Sequence, residues 1–355
     1  MKKSSKTPMI LFVSSLVIAL TALIMVLVLF LHNGDGTEVE KGDVVVTIDG
    51  TKIYENQFFF CASLLLEQED ASYHYDGNIP AVQLSETLKS NTLNFIKEYI
   101  YRLREAKQAG ITLSDEDVKA LDETIKNEYE SRKKVGVRVL EGDEFYNHYY
   151  GLSEKQYVQF WQDWAVIEKY NARCEETADV SLSNQERAYE EYEDYLKGCN
   201  ATVLSLSVTN MTTDEIATKR QLANDLASQI RQGADMVTLI QKHCDDEALV
   251  AAKGSVHITK AVGTIYTELY NWTLKTDTGD ISVIETRDAI YVVRADSFTN
   301  FNTLKDTDKM KEWTRLFAVN EQTAQLLQSK KYKVTVNTEV YTTLDLSSML
   351  ENGAK

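Results

Sequence analysis

Four cysteines and five histidines are the residues from which this 355-residue chain would have to build nucleophilic, redox or metal chemistry. Cys61, Cys174, Cys199 and Cys244 lie far apart and form no CxxC pair. If oxidised they allow three pairings, among which the spacing does not choose. Isolated buried thiols are the simpler expectation, although an exported location would permit disulfides. His32, His74, His148, His243 and His257 show neither HExxH nor a Cys/His spacing that could close a tetrahedral site, so no metal is expected. No GxSxG elbow presents a serine, and no glycine loop is arranged to cradle a phosphate. These absences leave binding, and reactions that need neither nucleophile nor metal.

The elements that could position such a site cluster between residues 200 and 297. Residues 201–208 (ATVLSLSV) alternate apolar with small polar side chains and predict a half-buried strand. Thr212 and Glu215 form a capping-box pair ahead of a helix in which Ile216, Leu222, Leu226 and Ile230 return on one face and which Gly233 closes. A short second helix carries Met236, Val237, Leu239 and Ile240. A loop around Gly254 follows, then an aromatic segment over 266–272 and a Gly279-Asp280 turn. Two strands over 281–284 and 289–294 flank the Arg287-Asp288 turn. The order strand, helices, strand, strand makes one α+β module within a longer chain.

With 43% hydrophobic and 26% charged residues the chain can support two or three domains. Residues 9–31 are uncharged and apolar, long enough at about 1.5 Å per residue to cross a hydrocarbon core of roughly 30 Å. Lys2, Lys3 and Lys6 precede them, which places the N-terminus in the cytoplasm and the bulk of the chain outside. A cleaved signal peptide is the competing expectation, but the run is long for one and no small-x-small site follows it. No cysteine follows it to carry a lipid anchor, so an uncleaved signal anchor is favoured. Three lysines and no acidic residue lie before residue 32, so the net charge of −16 leaves −19 for the remainder. That balance argues against nucleic acid or an anionic membrane face as partner. It fits an acidic, solvated surface, and less directly a preference for basic clients.

In chain order, residues 32–42 read as a Gly- and acid-rich tether. Residues 44–48, Asp49-Gly50 and residues 52–54 read as a strand, a tight turn and a return strand. A helix over 55–69 is expected to bury Phe58, Phe59, Ala62, Leu65 and Leu66. A polar, Tyr-rich loop over 70–80 leads to a long helix over 84–109, with Leu93, Ile96, Ile100, Leu103 and Ala106 at helical spacing and Gly110 as its stop. Ser114 opens an acidic helix. Ser153 with Gln156 opens one carrying Tyr157, Phe160, Trp161, Trp164 and Ile167, and Ser183 with Glu186 one leading to Gly198. Such aromatic stripes are normally core. Residues 309–328 predict an amphipathic helix, 331–341 an alternating strand and 347–355 a frayed tail.

The runs RQGADMVTLIQKHCDDEALVAAKGSV and LKTDTGDISVIETRDAIYVVRADS resemble the parvulin-type prolyl isomerase domain over about a hundred residues. In that family a G-x-D-F-xx-L-A-xx-Y-S-x-D segment precedes a Gly-rich loop, and G-E-h-S-x-P-h-x-T-xx-G-Y-H-h-h-x-V closes the sheet. The spacing matches apart from a two-residue insertion between Leu274 and Gly279. The chemistry this implies is rotation about an X-Pro bond, whose barrier is about 20 kcal/mol and which a proline slot in a dry, suitably polar surround lowers. No cofactor is implied. The family offers two histidines on adjacent strands, an Asp or Cys near the loop, and apolar residues around the ring. Here the first histidine falls on Val203, within one residue of register, and the second on Tyr291. The loop acid falls on Asp246, the ring pocket on Val262, Ile265 and Tyr266, and the loop glycines on Gly254 alone. Tyr291 keeps a hydrogen-bond donor, its phenol being neutral below about pH 10, whereas Val203 does not. Without the resemblance, Tyr291 reads equally as a strand aromatic in a small core, and Asp246 more readily as a helix or loop cap.

The whole layout resembles exported foldases of the PrsA and SurA type, in which a helical chaperone part cradles unfolded chains and carries an inserted parvulin unit. The implied organisation is a cytoplasmic tail over 1–8, a transmembrane anchor over 9–31 and a linker over 32–42. A helical chaperone part over 43–199, the parvulin-like α+β domain over 200–297 and a returning helix and strand over 298–346 follow. The last of these would complete the first domain and bring Asn200 close to Ser297. Partners would be unfolded or newly exported polypeptides and the membrane through one N-terminal helix. No nucleic acid is expected, and pairing of two copies into a homodimer is left open. The implied function is a membrane-anchored extracytoplasmic foldase whose isomerase site is weakened by loss of both histidines. A working isomerase with a divergent site, and a structural envelope docking protein without either activity, are the alternatives.

Overall fold

Asp49 and Gly50 both adopt positive φ, 47° and 83°, the pairing that closes a two-residue hairpin without splaying its strands. They join β1 (Val44–Ile48) to β2 (Thr51–Tyr54), which pair antiparallel. This computed structural model describes residues 41–67, 81–261, 267–347 and 349. The expected anchor over 9–31, the loop over 70–80 and the ring-pocket residues Val262, Ile265 and Tyr266 lie outside them. Among the described residues no helix is long and apolar enough to cross a membrane. The chain divides into two compact units, residues 1–178 with 318–355 and residues 179–317. The second is wider than the 200–297 module read from sequence.

In the first unit β2 runs into α1 (Glu55–Glu67). Phe58 and Ala62 are buried as expected, together with Phe60 and Cys61, while Phe59, Leu65 and Leu66 are half-buried. α2 (Ala81–Gln108) presents Leu88, Ile96, Ile100, Leu103 and Ala106 to the core, and Gly110 follows it at φ 71°. Ser114 and Asp117 form a reciprocal capping box on α3 (Asp115–Arg132). Next come elements not expected from sequence, a hairpin of β3 (Lys134–Val135) and β4 (Arg138–Val139), and α4 (Asp143–Tyr150). Two-residue strands carry too little alternation to be seen in sequence. α5 (Glu154–Thr177) starts on the Ser153/Gln156 capping box and buries Tyr157, Phe160 and Ile167. Phe60 meets Phe160 edge-on at 5.0 Å between ring centroids, so the aromatic stripe is indeed core.

The second unit opens with α6 (Leu182–Glu191) and α7 (Glu193–Leu196). The start expected at Ser183/Glu186 is displaced to an N-cap at Ser181, two residues earlier, where Asp179 accepts from the Ser181 backbone (2.9 Å) and from Asn184 (3.0 Å or less). β5 (Gly198–Ser207) leads through α8 (Thr213–Arg231), α9 (Met236–His243) and α10 (Glu247–Ala251) to β6 (Ser255–Thr259). Then come α11 (Thr267–Thr273), β7 (Ile281–Glu285), β8 (Ala289–Thr299) and α12 (Phe301–Leu304). The four strands form one antiparallel sheet in the order β6-β5-β8-β7. Where a loop is expected around Gly254, β6 forms instead: its five residues become a strand by pairing with β5. One face of the sheet packs Leu204, Leu206, Ile290 and Val292 against Leu226, Ile230 and Ile240 of α8 and α9. The other carries Cys199, Ala201, Val203, Val293 and Ala295 against Leu249 and Leu269 of α10 and α11. Asn200 pairs with Ser297, its amide donating to the serine hydroxyl at 3.0 Å.

α13 (Asp308–Gln328) crosses the boundary between the units at residue 317. Back in the first unit, β9 (Val334–Val336) adds to β1, giving the sheet order β2-β1-β9. The strand expected over 331–341 stops there: Asn337 caps α14 (Thr338–Thr343), accepting from the Val340 backbone at 3.4 Å. Beyond it Leu344, Leu346 and Met349 are buried in the first unit's core, so the segment expected to fray from 347 is packed as far as Met349. Lys89, 2% exposed, donates to the Leu344 carbonyl at 3.0 Å and ties this end to α2.

Candidate functional site

Strand alternation decides which residues of the second unit can share a surface. Val203 on β5 is paired with Val293 on β8, and Ser205 with Tyr291. All four positions belong to the face that meets α10 and α11. Val203 is fully buried, Ser205 is 6% exposed and Tyr291 is half-buried. The two positions that the parvulin resemblance gives to histidines thus stand on adjacent strands and look the same way.

β6 accompanies β5 only as far as Thr202, paired with Ser255, after which the Val203 N–H donates to the Gly254 carbonyl at 2.8 Å. From there a loop takes the strand's place along the edge of β5. The Ser205 N–H donates to Cys244 Sγ at 3.4 Å, and the Asp245 N–H donates to the Ser205 carbonyl at 2.9 Å. The Ser207 N–H donates to Asp245 Oδ2 at 3.0 Å, and Lys219 Nζ lies 2.7 Å from the same oxygen. Cys244 Sγ in turn donates to the Asp246 carbonyl at 3.6 Å. The loop therefore satisfies backbone groups that a missing strand would leave buried and unpaired.

Asp246 closes on its own helix. Its Oδ1 accepts from the backbone of Ala248 (2.9 Å) and Leu249 (3.0 Å), which makes it the N-cap of α10. Gly254, at φ 76°, passes so close to β5 that an added Cβ would lie 2.8 Å from the Val203 carbonyl oxygen and 2.3 Å from Ile240 Cδ1. The surviving loop glycine is thus required by its approach to the strand that carries Val203.

Residues not singled out as site candidates from sequence complete the surface: Ser205, Cys244, and Tyr270, Trp272 and Ile284, which pack against the same apolar cluster. The aromatic spacing in residues 266–272 was the available signal for two of them. No histidine stands among them. His257 sits on β6 one residue from buried Ile258, hence on the opposite pleat, where its Nδ1 lies 2.8 Å from Asn200 Oδ1. Burial, and then Lys309 nearby, hold its pKa below the usual value. The thiol of Cys199 is pushed up to about 11 by burial and by Asp296, and all four cysteines are free thiols. The surface offers apolar and aromatic walls, a phenol and a thiol. Most of this face is buried against α10 and α11, with Tyr291, Tyr270 and Trp272 half-buried around it.

Solved structures similar to this chain include foldases. The foldase protein PrsA from Streptococcus pneumoniae str. Canada MDR_19A is 16% identical, with 85% of this chain and 99% of that chain covered and a TM-score of 0.36. The foldase protein PrsA from Lactococcus lactis is 16% identical over 88% of this chain and 100% of that one, with a TM-score of 0.34. PrsA from Bacillus subtilis is 12% identical over 82% and 94%, with a TM-score of 0.31. No family model matches the chain, and no curated protein matches it.

Proposed function

We propose that this chain is an extracytoplasmic protein-folding factor, held at the cell membrane by residues 9–31, that binds unfolded or newly exported polypeptides. Its second unit is a parvulin-like module that holds prolyl segments and isomerises them weakly. The observation that supports this best is the placing of Val203 and Tyr291 on adjacent strands, two pairs apart and on one face, as the resemblance requires of the two family histidines. The weakness follows from the residues themselves. Val203 is a fully buried apolar side chain with no donor to offer, Asp246 spends Oδ1 on two helix N–H groups, and Cys244 accepts a backbone N–H from β5. Twisting an X-Pro amide needs groups that favour the twisted form over the planar one, and a purely apolar wall binds both alike. Holding a client needs no such discrimination.

Two assays on the full chain test the reading. Aggregation of a chemically unfolded client is expected to be suppressed near one chain per client, while isomerisation of a proline peptide is accelerated no more than a few-fold. A folded chain that leaves aggregation untouched would overturn the folding reading. Strong isomerisation that disappears in Tyr291→Phe or Asp246→Ala would overturn the weak site in favour of a working isomerase.

A further inference from the structure

A second surface lies in the first unit, where β2, α1, α2 and α5 enclose a cavity of about 440 Å³. Its charge opposes that of the chain. Lys41, Lys52, Arg104, Lys107 and Lys155 line it against one carboxylate, Asp163, in a protein of net charge −16. Asp163 is already engaged, accepting from Tyr99 Oη at 3.1 Å and from Lys107 at 3.3 Å. Among the described residues the other four cations have no carboxylate partner. Arg104 donates to the Asp49 carbonyl and Thr51 Oγ1, and Lys41 lies 5.9 Å from the centre of the Tyr54 ring. The floor is apolar and aromatic, with Phe60, Ile96 and Phe160 buried in it.

One wall identifies the shape of what fits. Thr51, Lys52 and Ile53 are consecutive residues of β2, and β2 is the end strand of its sheet. The edge of β2 opposite β1 carries no strand among the described residues. Such an edge accepts an extended chain by main-chain hydrogen bonds, with alternate side chains entering the floor or facing the rim. A rim of uncompensated cations favours carboxylates there, and their mutual repulsion in the empty cavity is relieved by an acidic occupant.

We infer that this cavity is a binding site for extended acidic peptide segments with an apolar side chain at alternate positions. The inference concerns the first unit and does not rest on the prolyl-site reading, so either can fail alone. The probe is a fluorescein-labelled pentapeptide alternating Glu with Phe, titrated by anisotropy against the full chain, beside its counterpart with Lys in place of Glu. The acidic peptide binds, the basic one does not, and added salt weakens the complex. Lys52→Glu with Lys155→Glu, two exposed rim residues, weakens binding by about tenfold or more. Lys52→Gln with Lys155→Gln weakens it less and serves if the reversed variant misfolds, while Lys52→Arg with Lys155→Arg retains it. No binding, equal binding of both peptides, or an unchanged affinity in the folded reversed and neutralised variants would overturn the proposal. So would displacement of the peptide by phosphatidylglycerol vesicles at equal anion concentration, which would assign the cations to a lipid surface.

Discussion

Glu168 on α5 shows how a single residue can store a pH dependence. Burial pushes its carboxyl up to about 7; Arg102 opposes the shift and Glu175 adds to it. Arg102 is 3% exposed and already committed, with Nε 3.1 Å from Glu98 and its other nitrogens on Asn171 and on Thr323 from α13. One buried cation therefore faces two carboxyls, and Glu98 is raised as well, by burial. A carboxyl whose folded value exceeds its unfolded one binds its proton more tightly when folded. Its contribution is complete below the unfolded value near 4.5 and is lost as pH rises through about 7. Glu168→Gln should thus raise the melting temperature more at pH 8 than at pH 5, by about 3 °C or more. Equal shifts at the two pH values in a scanning calorimeter would remove this role from Glu168. None of this was legible in the sequence, where Glu168 is one acid among many. Asp246 and Tyr291, by contrast, could be nominated because the resemblance fixed their positions, and the cap that Asp246 forms on α10 is the role its residue type already favoured.

Elements were readable where the signal lies within a few residues. The Thr212/Glu215 pair caps α8, with the Glu215 carboxylate accepting from the Thr212 N–H at 2.8 Å, and Ser153/Gln156 does the same for α5. The Asp49-Gly50 turn needs no partner to be recognised. β6 and β9 were missed or misjudged because a strand of five or three residues exists through its neighbour. Gly254 belongs to this class: its necessity comes from β5, across the sheet. Gly254→Ala should cost about 2–4 kcal/mol, since the Val203 carbonyl oxygen stands in the way as well as the buried Ile240 side chain. Gly233→Ala, with a comparable φ of 95° but open space around it, should cost about 1 kcal/mol. Urea unfolding of the two variants separates crowding from backbone strain, and equal losses would leave the close approach without consequence.

At the scale of the whole molecule the first unit is built from two distant stretches of chain and the second from one. A chain ending at residue 329 loses β9 and the buried Tyr332, Leu344, Leu346 and Met349. Removing that much core should abolish the first unit's unfolding transition and leave the second's in place. Calorimetry showing both transitions intact would contradict this division of stability. Total charge, the one global property available from composition, pointed to an acidic surface and to basic clients. The cavity in the first unit carries the opposite sign, because cations from residues 41 to 155 converge where folding brings β2, α2 and α5 together.

By itself the sequence determined the capping boxes of α5 and α8, the hairpin turn, the helical periodicities and the α+β class, since each is encoded in side chains within one or two turns of each other. The tertiary structure alone decided the short strands, the Cys244–Asp246 loop lying along β5, the burial of Glu168 and Met349, and the basic cavity. These depend on residues tens to hundreds of positions apart, and a linear pattern carries no record of which distant groups will meet or of how much water will be left between them.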